Sequence, residues 1–187
     1  MFGPVYFLSG DGYPTDVHVD RELQWRLSPS FTKWTSQKDI YHPTLNSFRI
    51  DDFSRRAEHL EAYLVAQRPA DDLILMGRSS GARLAALYAS EHPVSAVVCL
   101  GYPFRNPTHG EQPERYRHLS KLTVPTLICQ GFGDEYGGSN IFADYSLAPT
   151  TRVHLLRTDH NFKLTPDAWD ALARIILEFL QDVLRRD

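Results

Sequence analysis

Short apolar runs alternate along this chain with segments of helical period, and this alternation constrains the fold more than any other feature of the sequence. Most of the runs are bounded by glycine or proline, which is typical of strands that are buried on both faces. The runs are Val5–Leu8, Leu73–Gly77, Val94–Gly101, Pro125–Gly131 and Arg152–Arg157, with Phe31–Thr35 as a further candidate strand.

Apolar residues recur at spacings of three and four in the segments between and after these runs, as they do in a helix with one buried face. The helical segments are Asp51–Gln67, Ser80–His92 and Thr165–Arg186. The last is the clearest, because Thr165 and Pro166 are a typical N-cap and first-turn pair. Strands that alternate with helices predict a three-layer α/β/α sandwich around a mostly parallel sheet of about six strands.

The composition is that of one ordinary globular domain. The chain has 187 residues, of which 42% are hydrophobic and 23% charged, so we expect a single domain over residues 1–187. A net charge of −3 gives no electrostatic basis for nucleic acid or an anionic membrane as the main partner. The sequence has neither an apolar stretch near the roughly 20 residues of a membrane span nor a signal peptide pattern, and we therefore expect a cytoplasmic protein.

Both cysteines lie within apolar, strand-like runs. Cys99 and Cys129 are therefore expected to be buried thiols in a reducing compartment rather than a disulfide or a metal site. We expect no metal and no cofactor.

Two adjacent serines lie between two glycines, directly after the apolar run Leu73–Gly77 and before a helical segment. A strand that turns abruptly into a helix forces its corner residue into a strained backbone conformation, and small residues are needed two positions before and after it. Gly77 and Gly81 have this spacing around Ser79 alone. Ser79 is thus the predicted nucleophile, and the backbone N–H of Ser80 would face the same space at a helix N-terminus, where an oxyanion is favoured.

An activated serine needs a base, and the base needs a carboxylate that orients it. After a corner of this kind the acid and then the histidine should follow, each on a loop after a later strand. Asp134 lies three residues beyond Gly131, and His160 follows the next strand. Glu135 is the less favoured alternative for the acid. Asp159 is interpreted as a carboxylate that stabilises the histidine loop.

These residues together resemble the α/β-hydrolase superfamily, and most closely its small capless branch related to dienelactone hydrolases. That branch also includes a subunit of an animal histone acetyltransferase complex. The matching stretches span over half of the chain and read "MGRSSGARLA", "LGYPF", "PTLICQGFGDEYG" and "DHNFK". The chain departs from the branch near the nucleophile, where Ser80 and Ala82 replace the typical Met and second glycine. It also departs after the first strand, where "LSGDGYP" replaces the usual His-Gly.

The resemblance implies a serine hydrolase that cleaves an ester or thioester through an acyl-enzyme. Its nucleophile would be Ser79, its orienting acid Asp134 and its general base His160. The oxyanion hole would be formed by backbone N–H groups, from Ser80 and from Gly10 or Asp11.

The segment after Gly101 is too short for a lid domain, so we expect an open site. Aromatic side chains are the candidates for the pocket wall, namely Tyr13, Tyr102, Phe104 and Tyr136. The expected partner is a small-molecule ester or thioester, and the chain is expected to be a monomer or a homodimer.

Asp11 introduces an alternative to catalysis. A fixed carboxylate near the hole would oppose an oxyanion unless it turns away or binds Arg78 or Arg83. A hydrolase fold with weak or no activity would then serve as a binding or scaffold module. For Arg78 and Arg83 a structural role is favoured over substrate contact, and the role of Lys163 is left open. The glycine-rich turns also suggest nucleotide binding, but the dinucleotide fingerprint and the phosphate loop are both incomplete.

Overall fold

A computed structural model of the chain describes residues 1–41, 53–67 and 72–184. Its strands are β1 (Val5–Leu8), β2 (Trp34–Thr35), β3 (Ile74–Arg78), β4 (Ala96–Leu100), β5 (Thr126–Gly131) and β6 (Thr151–Leu156). All neighbouring pairs are parallel, and the strand order across the sheet is β2-β1-β3-β4-β5-β6. The predicted six-stranded parallel sheet is confirmed. The candidate strand Phe31–Thr35 is shorter than predicted, since the strand comprises only its last two residues, and Phe31 forms an isolated bridge to Phe2.

The helices are α1 (Val17–Leu27), α2 (Gln37–Tyr41), α3 (Phe53–Gln67), α4 (Ser80–Glu91), α5 (Ile141–Asp144) and α6 (Pro166–Leu184). Short 3-10 turns cover Ser28–Ser30, Pro113–Arg115 and Arg117–Lys121. The three predicted helices are α3, α4 and α6, and the predicted end residues Asp51, Asp52, Arg185 and Arg186 lie outside the described residues. Sequence analysis missed α1, because its buried stripe is narrow and consists of Val19, Leu23 and Leu27 in a mostly polar segment.

Side chains alternate across the sheet, so each face has its own hydrophobic core. The core under α1 and α6 includes Phe7, Met76, Leu23 and Ile176. The core under α3 and α4 includes Leu8, Leu75, Leu64 and Ala86. The chain is therefore the α/β/α sandwich that the alternation of strands and helices predicts.

The edge strand β6 is less buried than its sequence indicates. Arg152 and Leu155 are exposed there, whereas every residue of β1, β3, β4 and β5 is buried. The prediction of burial on both faces was wrong for this strand, because β6 is the last strand in the sheet order and has a neighbour on one side only.

Cys99 and Cys129 are free and fully buried, as predicted. Burial raises the pKa of Cys129 to about 12, and it also raises the pKa of Cys99. Both thiols therefore behave as apolar core groups. None of the helices in the described ranges combines the length and the apolar character that crossing a membrane requires.

Because the strands are parallel, their carboxyl ends meet at one edge of the sheet, where the loops after β1, β3, β5 and β6 come together. The predicted nucleophile, acid, base and oxyanion-hole residues lie on these four loops.

Candidate active site

Ser79 is the corner residue between β3 and α4, with φ 53° and ψ −123°. Residues other than glycine rarely adopt this backbone conformation, and backbone strain of this kind is typical of functional positions. The two flanking glycines are required by close backbone approaches. A Cβ on Gly77 would lie 2.4 Å from the carbonyl oxygen of Gly81, and a Cβ on Gly81 would lie 2.1 Å from that of Leu8.

A continuous set of hydrogen-bond distances connects the three predicted site residues. Ser79 Oγ lies 3.0 Å from His160 Nε2. His160 Nδ1 lies 2.9 Å from each carboxylate oxygen of Asp134. The Asp134 side chain is completely buried, and that of His160 is 13% exposed. When Nδ1–H donates to Asp134, Nε2 is free to accept the serine proton, which is the arrangement of a nucleophile, a base and an orienting acid.

The Asp134 carboxylate has two further donors. Gln130 Nε2 donates to Oδ2 at 2.8 Å, and the backbone N–H of Tyr136 donates to Oδ1 at 2.9 Å. Sequence analysis missed Gln130, although a glutamine inside the buried run of β5 is a signal that could have found it. Glu135 is exposed, so the structure brings Asp134 and not its neighbour to His160.

The loop around His160 is held by local contacts. Asp159 accepts the backbone N–H of Asn161 at 2.8 Å and its side-chain amide at 3.2 Å. These hydrogen bonds lower the pKa of Asp159. The carboxylate therefore stabilises the loop, as predicted. The ring of Tyr136 stacks on His160, with centroids 4.2 Å apart.

Arg78 is buried and contacts the same histidine. Its Nη1 lies 3.2 Å from His160 Nε2, and its Nη2 donates to the backbone carbonyl of His160. Burial lowers the pKa of Arg78, and the carboxylates of Asp16 and Asp134 act in the opposite direction. Arg83 lies over the ring of Phe53, 4.4 Å from its centroid. Both arginines thus have structural contacts.

The loop after β1 lies directly beside Ser79. A Cβ on Gly10 would approach the Ser79 Cβ to 2.9 Å. The neighbouring Asp11 carboxylate is bound by Arg56 of α3, whose Nη1 lies 2.8 Å away, and by the Ser80 hydroxyl at 2.7 Å. The partner of Asp11 is therefore Arg56 and not Arg78 or Arg83, the two arginines considered from the sequence. Packing of α3 against the sheet determines the partner, and a helical pattern does not reveal which distant loop a side chain reaches.

An open cleft of about 610 Å³ lies over Ser79. Of the four aromatic residues predicted for its wall, Tyr136 lines it. Tyr102 and Phe104 are fully buried in the core and do not line it, and Tyr13 is half-buried and is not part of the wall. The prediction of these three as pocket residues was wrong: the segment after β4 turns the rings of Tyr102 and Phe104 inward, and Tyr13 lies outside the cleft wall.

The cleft wall is mostly polar and charged. Its members with charged or ionisable side chains include Asp11, Asp16, His18, Arg78, Arg115 and Lys163, in addition to His160. Lys163, whose role the sequence left open, lines the cleft with an exposed side chain. Across the ranges that the structure describes, no group of three or more His, Cys, Asp or Glu side chains is placed to hold a metal ion.

Residues 46–182, most of the chain, match a protein family described as "Alpha/beta hydrolase domain". No curated protein sequence matches the chain significantly.

Several solved structures share the fold over nearly the whole chain. The esterase domain of a Rhodothermus marinus protein is 15% identical, with a TM-score of 0.69, 97% of this chain covered and 88% of that one. An alpha-beta serine hydrolase homologue from Coxiella burnetii is 18% identical, with a TM-score of 0.63 and coverages of 96% and 85%. A thermophilic esterase from Thermogutta terrifontis is 13% identical, with a TM-score of 0.67 and coverages of 96% and 90%. Identities this low show a shared fold.

Proposed function

Since this chain belongs to the alpha/beta hydrolase family, we propose that it is a serine hydrolase that cleaves an ester or thioester at Ser79. The observation that carries the proposal is the set of contacts from Ser79 Oγ to His160 Nε2 and from His160 Nδ1 to Asp134, at 3.0 and 2.9 Å. The nucleophile occupies a strained corner at the edge of an open cleft, so a substrate carbonyl can reach its oxygen.

In the first half of the reaction, His160 Nε2 takes the proton of Ser79 as the serine oxygen forms a bond to the substrate carbonyl carbon. The charge on the carbonyl oxygen is stabilised by backbone N–H groups of Ser80 and of the Gly10–Asp11 loop. His160 then returns the proton to the leaving alcohol or thiol, and the acyl group stays on Ser79. Asp134 keeps the imidazole in the required tautomer and stabilises its charged form.

In the second half of the reaction, His160 takes a proton from water, and the resulting hydroxide attacks the acyl carbonyl. The bond to Ser79 breaks, the serine recovers its proton from His160, and a carboxylic acid leaves. The net reaction is acyl transfer to water.

The polar, open cleft favours a small-molecule ester or thioester over a long aliphatic chain. Esterases among the structural neighbours support the same reaction class. Placement in the small capless branch related to dienelactone hydrolases, a cytoplasmic location and a monomeric or homodimeric state belong to this proposal. So does the expectation that neither nucleic acid nor a membrane is a partner.

The scaffold alternative depends on a carboxylate that opposes the oxyanion. Asp11 is paired with Arg56, and its side chain is 75% exposed, so water and a cation both reduce its field at the hole. These contacts favour the catalytic function.

The test is steady-state hydrolysis of p-nitrophenyl esters and aryl thioesters of two to eight acyl carbons by purified protein. We expect Ser79→Ala and His160→Gln to lower kcat/KM by on the order of 10³-fold or more. Ser90→Ala is the matched control, because Ser90 is an exposed serine on α4, and it should retain wild-type turnover. Folded wild-type protein without activity on any of these substrates, or equal activity in Ser79→Ala, would contradict the proposal.

A further inference from the structure

We propose that Arg56 is a positioning residue that assembles the oxyanion hole, because it binds both segments that supply the backbone donors. This inference rests on the proposed function. Arg56 lies on α3, a helix that supplies none of the three residues Ser79, His160 and Asp134.

The Arg56 guanidinium contacts three groups around the hole. Nη2 donates to the backbone carbonyl of Ser9 at 2.6 Å. Nη1 lies 2.8 Å from Asp11 Oδ1 and 2.9 Å from Ser80 Oγ. The Arg56 side chain is only 2% exposed. Burying a guanidinium costs free energy unless its donors are satisfied. These contacts therefore constrain the conformation of the loop after β1.

The contact with Ser9 sets the direction of the neighbouring donor. The carbonyl of Ser9 and the N–H of Gly10 belong to one peptide unit, and a trans peptide directs these two groups to opposite sides. Because the carbonyl faces Arg56, the N–H of Gly10 faces away from it. A Cβ on Gly10 would lie 2.9 Å from that of Ser79, so the Gly10 backbone is beside this residue, and its N–H belongs to the proposed oxyanion hole there. A cation on the carbonyl also polarises the peptide and strengthens the N–H as a donor.

The contacts with Ser80 and Asp11 connect the second donor to the first. The Ser80 hydroxyl donates to Asp11 Oδ1 at 2.7 Å and accepts from Arg56 at 2.9 Å. The first residue of α4 is thereby bound to the loop after β1, which fixes the spacing between the Ser80 and Gly10 amides. The same guanidinium balances the negative charge of Asp11 at the loop that must stabilise an oxyanion.

The position of Arg56 on its helix also indicates a role beyond solvation. Arg56, Leu60 and Leu64 are the buried residues of α3, at a spacing of four. A cation therefore occupies a position of the apolar stripe where a leucine would fit the pattern. The contacts with Ser9, Asp11 and Ser80 offset the cost of burying a charge on that face.

The experiment compares Arg56→Gln and Arg56→Lys with Arg55→Gln, an exposed arginine one position earlier on α3. Each protein is first checked for folding by circular dichroism and thermal unfolding. The readouts are kcat and KM for p-nitrophenyl acetate and inhibition by an alkyl trifluoromethyl ketone, whose serine adduct carries an oxyanion. Arg56→Lys keeps the charge and is the milder substitution if Arg56→Gln does not fold.

We expect both Arg56 variants to lose kcat by on the order of 10²-fold, with KM nearly unchanged, and to lose ketone affinity in parallel. Asp11→Asn in the Arg56→Gln background should recover part of kcat, because the unbalanced carboxylate is removed. Arg55→Gln should match wild type. Folded Arg56 variants with wild-type kcat, or with lower kcat and unchanged ketone affinity, would overturn the inference alone. Wild-type protein without turnover would overturn the proposed function and the inference with it.

Discussion

The Arg78 guanidinium contacts His160 at two points, the ring nitrogen Nε2 at 3.2 Å and the backbone carbonyl. The same Nε2 lies 3.0 Å from Ser79 Oγ, so two donors converge on one acceptor. The carbonyl contact fixes the loop that carries the base. The ring contact competes with the serine hydroxyl, and the proposed reaction requires the arrangement in which the hydroxyl donates to Nε2.

Replacement of Arg78 tests its structural part. We expect Arg78→Met to lower the free energy of unfolding by about 1–3 kcal/mol, because the His160 carbonyl loses a charged, buried donor. In a chain of this size that corresponds to a fall in Tm of roughly 2–4 °C per kcal/mol, measured by thermal unfolding.

Arg152→Met is the matched control for Arg78→Met. Arg152 pairs with Asp182 at 2.8 Å, but both side chains are more than half exposed. An exposed pair of this kind contributes little, so the control should unfold within about 1 °C of wild type. Equal Tm values for the two variants would contradict the assigned role of Arg78.

The flanks of the nucleophile should tolerate no side chain. In Gly77→Ala and Gly81→Ala the new methyl group would lie 2.4 and 2.1 Å from backbone atoms. The backbone cannot rotate away from the methyl group, whereas the end of a flexible side chain could. We expect both variants to be insoluble or to unfold at a much lower temperature. Gly133→Ala meets only ordinary contact at 3.6 Å and should fold normally. A Gly81→Ala protein with wild-type Tm would contradict the close approach of α4 to β1.

The half-buried His118 should make stability depend on pH. Burial, together with the charge of Arg83, lowers the pKa of His118 from 6.5 to about 4. Between these values the unfolded chain binds a proton that the native protein does not. The His118 contribution is therefore complete above pH 6.5 and is lost as pH falls toward 4.

The measurement is chemical denaturation at several pH values for wild type and His118→Gln. We expect wild type to lose about 2 kcal/mol more than the variant between neutral pH and the acid end of the window. His109→Gln, an exposed histidine on the loop after β4, controls for the general effect of removing an imidazole. If wild type and His118→Gln lose stability in parallel, the assignment is wrong.

The strands, the helices α3, α4 and α6, and the candidate nucleophile, acid and base could be predicted because each depends on local sequence. The strands appear in the sequence as short apolar runs, most of them bounded by glycine or proline. The motif Gly77-Arg78-Ser79-Ser80-Gly81 requires only a strand before it and a helix after it. Asp134 and His160 could be selected because parallel strands bring successive loops to one edge.

The contacts of Arg56 could not be predicted in this way. They join residues 45 positions apart, Asp11 and Arg56, and depend on how α3 packs against the sheet. Tyr102 and Phe104 show the same limit, because the sequence placed them after the right strand but could not show that their rings turn into the core. Gln130 is intermediate, since a polar residue in a buried strand is visible in the sequence but its partner is not.

The central claim is that Ser79 is an activated nucleophile, and the most direct test is intact mass after treatment with a fluorophosphonate. Wild type, Ser79→Ala and Ser80→Ala should be treated together, because Ser80 is the adjacent serine and alanine retains its proposed backbone donor. We predict one adduct on wild type, one on Ser80→Ala that forms more slowly because the hydroxyl contacts with Arg56 and Asp11 are lost, and none on Ser79→Ala. No adduct on folded wild type, or an adduct that persists in Ser79→Ala, would contradict the account.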